Sequence, residues 1–236
     1  MDPNLLKKLN VERNARRAAI LVTDLGDGRD RLVREGDAVS GELGVALEKA
    51  FRSGKSGTVE VEGRNFFLNA HLPPPRLVAI GAVHISQALA PMANLAGFDI
   101  EIIDPRTAFA TQARFPDVPL FAEWPEDVLK RRPFDAYTGV AALTHDPKID
   151  DFALKSALKT GCFYVGALGS RKTHAKRVER LTAMGVTAEE IGRIHSPIGL
   201  DIGAASPAEI AVAVLAEIIA SFRSRGMAVE TAEKAA

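Results

Sequence analysis

The sequence predicts an α/β protein: a doubly wound, mostly parallel Rossmann-like sheet preceded by a small α+β domain. Three observations carry the prediction. From Arg76 onward, short continuous apolar runs alternate with segments of helical period. The first of these runs, Leu77–Ile80, ends in a glycine turn, Gly81-Ala82-Val83-His84, that opens a helix. Three consecutive prolines, Pro73 to Pro75, divide the chain, because prolines lack N–H donors and favour an extended connector. The expected boundaries are a domain over 1–70, a linker over 71–75, the Rossmann-like domain over 76–226 and a polar, frayed tail over 227–236.

In the first domain, Ala18 to Thr23 is an apolar run that reads as a strand. Asp24-Leu-Gly-Asp-Gly28 supplies turn chemistry before a short Arg31–Val33 segment. Leu43, Ala46, Leu47 and Ala50 recur at helical spacing and Gly54 lies just past the last of them, so this part is expected to hold one helix. Thr58–Val61 and Asn65–Leu68 flank Glu62-Gly63-Arg64 as a hairpin.

In the second domain, Leu77–Ile80 reads as a strand buried on both faces. A helix follows over 85–96, with Leu89, Met92, Ala93 and Ala96 on one stripe and Gly97 as its stop. Strands are expected over 99–103, 136–143 and 163–167, and helices over 149–160 and 171–184. Thr187 with Glu190, and Ser206 with Glu209, form capping boxes, and Pro207 takes the favoured first position of a final helix.

Composition sets outer limits. The chain has 236 residues, 47% hydrophobic and 25% charged, so it can bury a core without staples. Lys plus Arg balance Asp plus Glu at 30 each, which argues against nucleic acid or an anionic membrane as partner. The single Cys162 is expected to be a buried small hydrophobe, and no Cys/His cluster reads as a metal site. No apolar run reaches the roughly 18 residues of a membrane span, and residues 1–17 lack the apolar core of a signal peptide. These features point to the cytoplasm.

Four segments carry candidate chemistry near the predicted carboxyl edge of the sheet, where open α/β sheets bind ligands. The Gly81 turn, with Asp104 23 residues later, matches a phosphate-binding turn plus a ribose-binding acid. Val83 and Ser86 stand where a dinucleotide fingerprint has its second and third glycines. His145, beside Asp146, follows the 136–143 strand as an acid/base, a metal ligand or a plain loop histidine. Gly169, Ser170 and Arg171 open the next helix, Ser170 as a cap and Arg171 as an anion clamp or a surface cation. His174 lies one turn further, and His195 begins a glycine-punctuated loop. The basic run Arg171–Arg177 reads as a solvated helix face.

Taken in order, Gly81-Ala-Val-His84, Asp104-Pro-Arg106, Leu143-Thr-His-Asp-Pro147, Tyr164-Val-Gly-Ala-Leu-Gly-Ser-Arg171 with Thr173-His174, His195 to Gly203, and Pro207-Ala-Glu-Ile210 resemble the xanthine dehydrogenase accessory factor family (XdhC/CoxI-like) over residues 72–220. The resemblance implies a chaperone that binds molybdenum cofactor (molybdopterin) and delivers it to a molybdenum hydroxylase, in some members with a cysteine desulfurase. It also implies that Gly81, Ala82, Val83, His84, Asp104, Arg106, His145, Asp146, Gly169, Ser170, Arg171, His174 and His195 face that cofactor, in one chain or across a homodimer. The sequence departs from the family pattern twice. Val83 replaces the second glycine and would crowd the phosphate approach, and Val39-Ser-Gly-Glu42 stands where many members carry Ser-Gly-Gly-Cys. Two other readings are an NAD(P)-dependent oxidoreductase, resting on Asp104, and a scaffold for enzyme maturation that binds no cofactor.

Overall fold

The computed structural model describes residues 2–225, so the tail expected over 227–236 lies outside the described residues. The chain divides into two compact units. One runs to Pro73 and takes in residues 223–225, and the other is Pro74–Phe222.

The first unit opens with α1 (Pro3–Asn14), a helix that the sequence pattern does not announce. Its signals are an Asp2 N-cap and Pro3 at the first helical position. Among its residues only Leu9 and Glu12 are buried, so it lacks the apolar stripe by which helices are recognised. Glu12 is held between Arg17 and Arg34 at 2.6 and 2.9 Å. Then come β1 (Ala19–Asp24), β2 (Asp30–Arg34), α2 (Gly41–Ser53), β3 (Gly57–Val61) and β4 (Arg64–His71). The strands form an antiparallel sheet in the order β2-β1-β4-β3, with Glu62-Gly63 turning the expected hairpin. Gly54 ends α2 in the left-handed conformation, as the sequence predicts.

The second unit is the Rossmann-like domain. It comprises β5 (Arg76–Ile80), α3 (His84–Leu95), β6 (Asp99–Ile103), β7 (Leu120–Phe121), α4 (Pro125–Arg131), β8 (Thr138–Ala142), α5 (Pro147–Thr160), β9 (Tyr164–Ala167), α6 (Arg171–Ala183), α7 (Ala188–Ile191), β10 (Ile194–His195) and α8 (Pro207–Arg223). The six strands are all parallel, in the order β10-β9-β8-β5-β6-β7. The sequence pattern does not reveal β7, α4 and β10, because two-residue strands and a seven-residue helix carry too little periodicity to register.

Successive residues of each strand feed opposite faces. Leu77, Ala79, Ile102 and Tyr164 pack with Leu89, Val214 and Ile218 of α3 and α8. Val78, Ile80, Val140 and Val165 pack with Leu154, Leu158 and Leu181 of α5 and α6. Cys162 lies fully buried in this second cluster, and burial pushes its thiol pKa up to about 12.

The strand order reverses direction between β5 and β8. Their carboxyl ends diverge into the Gly81 turn and the Leu143–Asp146 loop, and a crevice of this kind is where open α/β sheets bind ligands. Gly81 makes that divergence possible. Its φ is +120°, and a Cβ there would lie 2.8 Å from Thr144 Cγ2. Gly81→Ala is expected to lose roughly 1–3 kcal/mol, the sum of an unfavourable φ and the Thr144 contact. Denaturant unfolding with an unchanged m-value checks this, and a loss under about 0.5 kcal/mol would show that Thr144 simply moves aside.

Candidate functional site

The carboxyl edge of the parallel sheet gathers most of the predicted site residues. At its centre the Gly81 turn is held from below by Asp104. The Ala82 N–H donates to Asp104 Oδ2 at 2.7 Å, and the Arg106 N–H donates to Oδ1 at 2.9 Å. The Arg106 guanidinium donates to both oxygens, at 2.9 and 2.7 Å. Burial of this fully enclosed carboxylate opposes its charge, but the guanidinium and the two N–H donors outweigh that and hold its pKa below the usual range. The ribose-binding role expected of Asp104 is therefore corrected. Both its oxygens are engaged by the chain itself, none of it is exposed, and the oxidoreductase reading loses its main support.

Val83 carries no backbone strain at this position. Val83 is the N-cap of α3 with φ −103° and ψ 174°, an extended geometry open to any residue, and its side chain packs on the α3/α8 core cluster. Ser86, at the third glycine position, is fully buried and donates to the Gly81 carbonyl. No side chain caps α3. The N–H groups of its first turn therefore face the edge without a partner from within the helix. His84 is exposed at its first position, and Arg106 stacks over Phe109 at 4.8 Å with a third of its side chain open. Arg114, which no motif singles out, ties the turn down by donating to the Ala82 and Phe109 carbonyls, each at 2.9 Å.

The loop after β8 is built differently. Asp146 caps α5 by accepting from the Lys148 N–H at 3.0 Å, and the Asp146 N–H donates to Thr144 Oγ1 at 3.0 Å. Asp146 is thus a helix cap. Between these bonds His145 adopts φ +63°, a left-handed conformation uncommon outside glycine, and its side chain is exposed. Partial desolvation and the nearby Arg177 lower its pKa. After β9, Gly169 at φ +138° brings the chain over α6, which Ser170 caps by accepting from the Thr173 N–H. Arg171 is exposed at the first position of that helix.

His145 opens onto a cleft of about 240 Å³ between α5 and α6, lined by Asp150, Asp151, Lys172, Thr173, Lys176, Arg177 and Arg180 as well. The basic run is therefore not simply a solvated face, because Arg177 is 2% exposed. It donates to the Leu168 carbonyl at 2.8 Å and to Ser196 Oγ at 3.4 Å, and its Nε has no partner. Burial lowers its pKa. Asp150 is also 2% exposed. It accepts from Thr144 Oγ1 at 2.7 Å, while its Oδ2 is unpartnered. Burial pushes its pKa up to about 6. The signal for both is their stripe: Arg177 precedes buried Leu181 by four residues, and Asp150 precedes buried Ala153 and Leu154 by three and four. His174 sits on the same helix, half-buried, with burial and Arg177 lowering its pKa.

His195 does not join this group. It lies on β10 and not in a loop. It stacks on Tyr164 at 4.7 Å, and its Nδ1 meets Glu217 Oε1 at 3.0 Å. Tyr164 OH and the Gly199 N–H donate to the other Glu217 oxygen at 2.6 and 2.8 Å. This network pins the 196–200 segment to α8 and makes His195 a packing residue first.

Asp150 gives a pH-dependent expectation. Its folded pKa, about 6, lies above the ordinary carboxylate value, so the folded state holds the proton more tightly. Its contribution to stability is complete below about pH 4, the ordinary range of an aspartate, and is lost as pH rises through about 6. Asp150→Asn is expected to stabilise the protein by on the order of 2–3 kcal/mol at about pH 7.5, and by clearly less at about pH 4.5. Equal gains at both pH values would refute a buried, strained carboxylate.

The geometry of this edge has counterparts. Residues 77–218 match the family model described as the XdhC Rossmann domain. A protein of Bacillus subtilis (strain 168) named as a probable subunit of xanthine dehydrogenase is 34% identical over 156 residues, covering 66% of this chain and 45% of that protein. The molybdenum cofactor insertion chaperone PaoD of Escherichia coli (strain K12) is 31% identical over 146 residues, covering 62% of this chain and 40% of that one. The crystal structure of a xanthine dehydrogenase from Bacillus halodurans is 25% identical with a TM-score of 0.62, covering 94% of this chain and 65% of that one. The chain spans less than half the length of the two relatives compared by sequence. Because the family model covers more than half of the chain, the chain belongs to the XdhC family.

Proposed function

We propose that this XdhC-family chain binds the molybdenum cofactor at the carboxyl edge of its parallel sheet, shields it, and helps load it into a molybdenum hydroxylase of the xanthine dehydrogenase type. The observation that carries the reading is the open first turn of α3 at the β5/β8 crevice, fixed by Asp104 and flanked by Arg106. The names of the relatives support it: one is a cofactor insertion chaperone and one a probable component of xanthine dehydrogenase.

The donors here suit the phosphate end of such a ligand. Helix N-terminal N–H groups and the helix dipole favour an anion. Asp104, the nearest carboxylate, has its charge matched by Arg106 and is turned away from solvent. In this reading the N–H groups of His84 and Ile85 hold the phosphate, with the His84 side chain and Arg106 beside them. The exposed His145, Ser170 and Arg171 border the rest of the molecule. The cofactor supplies the metal chemistry, which the client enzyme uses; the chain's own residues bind, orient and keep water away. A partner desulfurase and binding across a homodimer belong to the same proposal.

Incubated anaerobically with molybdenum cofactor, the purified chain is expected to retain it above the level of an unrelated Rossmann protein. His84→Asp is expected to weaken retention about tenfold or more. A carboxylate at the first helical position suits the dipole, so the melting temperature should hold or rise while phosphate is repelled. Retention no greater than the control's, or full retention by a folded His84→Asp protein, would sink the assignment.

A further inference from the structure

The α5–α6 cleft stands apart from the α3 turn. It belongs to β8, β9 and the helices that follow them, and it carries an electrostatic problem of its own. A guanidinium taken out of water is costly unless a counter-charge meets it. Arg177 is buried, yet among the described residues no carboxylate lies within 4.0 Å of it. Its direct partners are one carbonyl and one distant hydroxyl, and its Nε donor has none.

The rest of the lining does not supply the missing anion. Asp151 is consumed by Arg180, which donates to it at 2.5 and 3.1 Å. Asp150 is the one remaining carboxylate of the lining, and its bonded oxygen is directed to Thr144. Against it stand Arg177 and two further cations, Lys172 and Lys176, which lie on α6 at the mouth of the cleft. The cleft therefore carries a surplus of positive charge suited to a dianion. Its volume of about 240 Å³ is below the roughly 300–1,000 Å³ of sites that enclose a drug-sized ligand. Its enclosed part is the size of a small group.

We infer that this cleft is a second binding site, for a tetrahedral oxyanion: free phosphate or the phosphate end of a monoester, held by Arg177 from within and by Lys172 and Lys176 at the mouth. Thr173 adds a hydroxyl at the same level, itself 3.1 Å from Ser170 Oγ. The anion supplies a counter-charge in direct contact, where Arg177 otherwise feels Asp150 and Asp151 only at longer range. This assignment does not rest on the cofactor reading above: His145 borders both places, but the groups that hold the anion here, Arg177, Lys172, Lys176 and Thr173, have no part in that reading.

The test is calorimetric titration of the full chain with sodium sulfate, inorganic phosphate and glycerol 3-phosphate, at constant ionic strength in chloride buffer. Saturable binding of the divalent anions over chloride, with one event sensitive to the cleft substitutions, is expected. Tighter binding of the ester would identify a monoester end as the ligand, and tighter binding of inorganic phosphate the free ion. Lys176→Ala removes a cation at the mouth without touching the core and is expected to weaken binding roughly tenfold. Asp150→Asn removes the opposing charge and is expected to strengthen it by about the same factor, a gain that misfolding cannot produce. Anion taken up at the α3 turn would appear as a separate event lost in His84→Asp, whereas the event that Lys176→Ala weakens should persist in that variant. Absence of saturable binding, indifference to both cleft substitutions, or loss of the Lys176-sensitive event in His84→Asp would overturn the second site.

Discussion

The carboxylate of Asp104 is the constraint on which the carboxyl edge of the parallel sheet depends. It is wholly buried, so its charge must be met by the chain, and it is met by two backbone N–H groups and a guanidinium. Meeting that charge welds the end of β6 to the turn after β5, and the turn in turn sets where α3 begins. Dinucleotide-binding turns achieve closeness with several glycines. Here one glycine suffices, because the acid and Arg114 hold the turn from two directions. The same arrangement explains how valine is accommodated at the helix entrance: its backbone is extended and its side chain has the core to pack against.

The two faces of the sheet divide the remaining work. On the α3/α8 face, polar groups are used to lock structure. Tyr164, His195, Glu217 and the Gly199 N–H satisfy one another, and burial together with the Glu217 carboxylate raises the Tyr164 pKa. On the α5/α6 face, polar groups are left incompletely satisfied, with Arg177 and Asp150 each retaining an unpartnered atom. Buried polar atoms are almost always paired in folded proteins. The two faces therefore differ in how fully their buried polar groups are satisfied: those around Glu217 close on one another, and those of Arg177 and Asp150 do not.

Much of the fold was legible because its strands are short apolar runs and its helices are punctuated by glycines and caps. Gly54, Gly97 and Gly161 all take positive φ where the sequence placed helix ends, and the Thr187–Glu190 box forms as written. The elements that escaped carry little periodic signal: α1 buries only Leu9 and Glu12, α4 is seven residues long, and β7 and β10 are two-residue ladders. The site was legible by position only. That Gly81, His145 and Ser170 meet one sheet edge follows from topology, whereas the inward turn of Arg177 within a basic run depends on which face of α6 meets the core. Asp104 shows the opposite error, since correct spacing for a ribose acid does not reveal that backbone and guanidinium claim it first.

The state of Cys162 reaches beyond packing. A thiol with no exposed surface and a pKa of about 12 forms almost no thiolate at neutral pH, so alkylating reagents and mild oxidants have nothing to attack. The native chain is thus already silent toward sulfhydryl chemistry. A cysteine introduced on either side of the ligand edge would be its one reactive handle, open to a fluorophore or spin label without prior removal of the natural residue. Occupancy at the α3 turn and in the α5–α6 cleft could then be followed separately in otherwise unaltered protein.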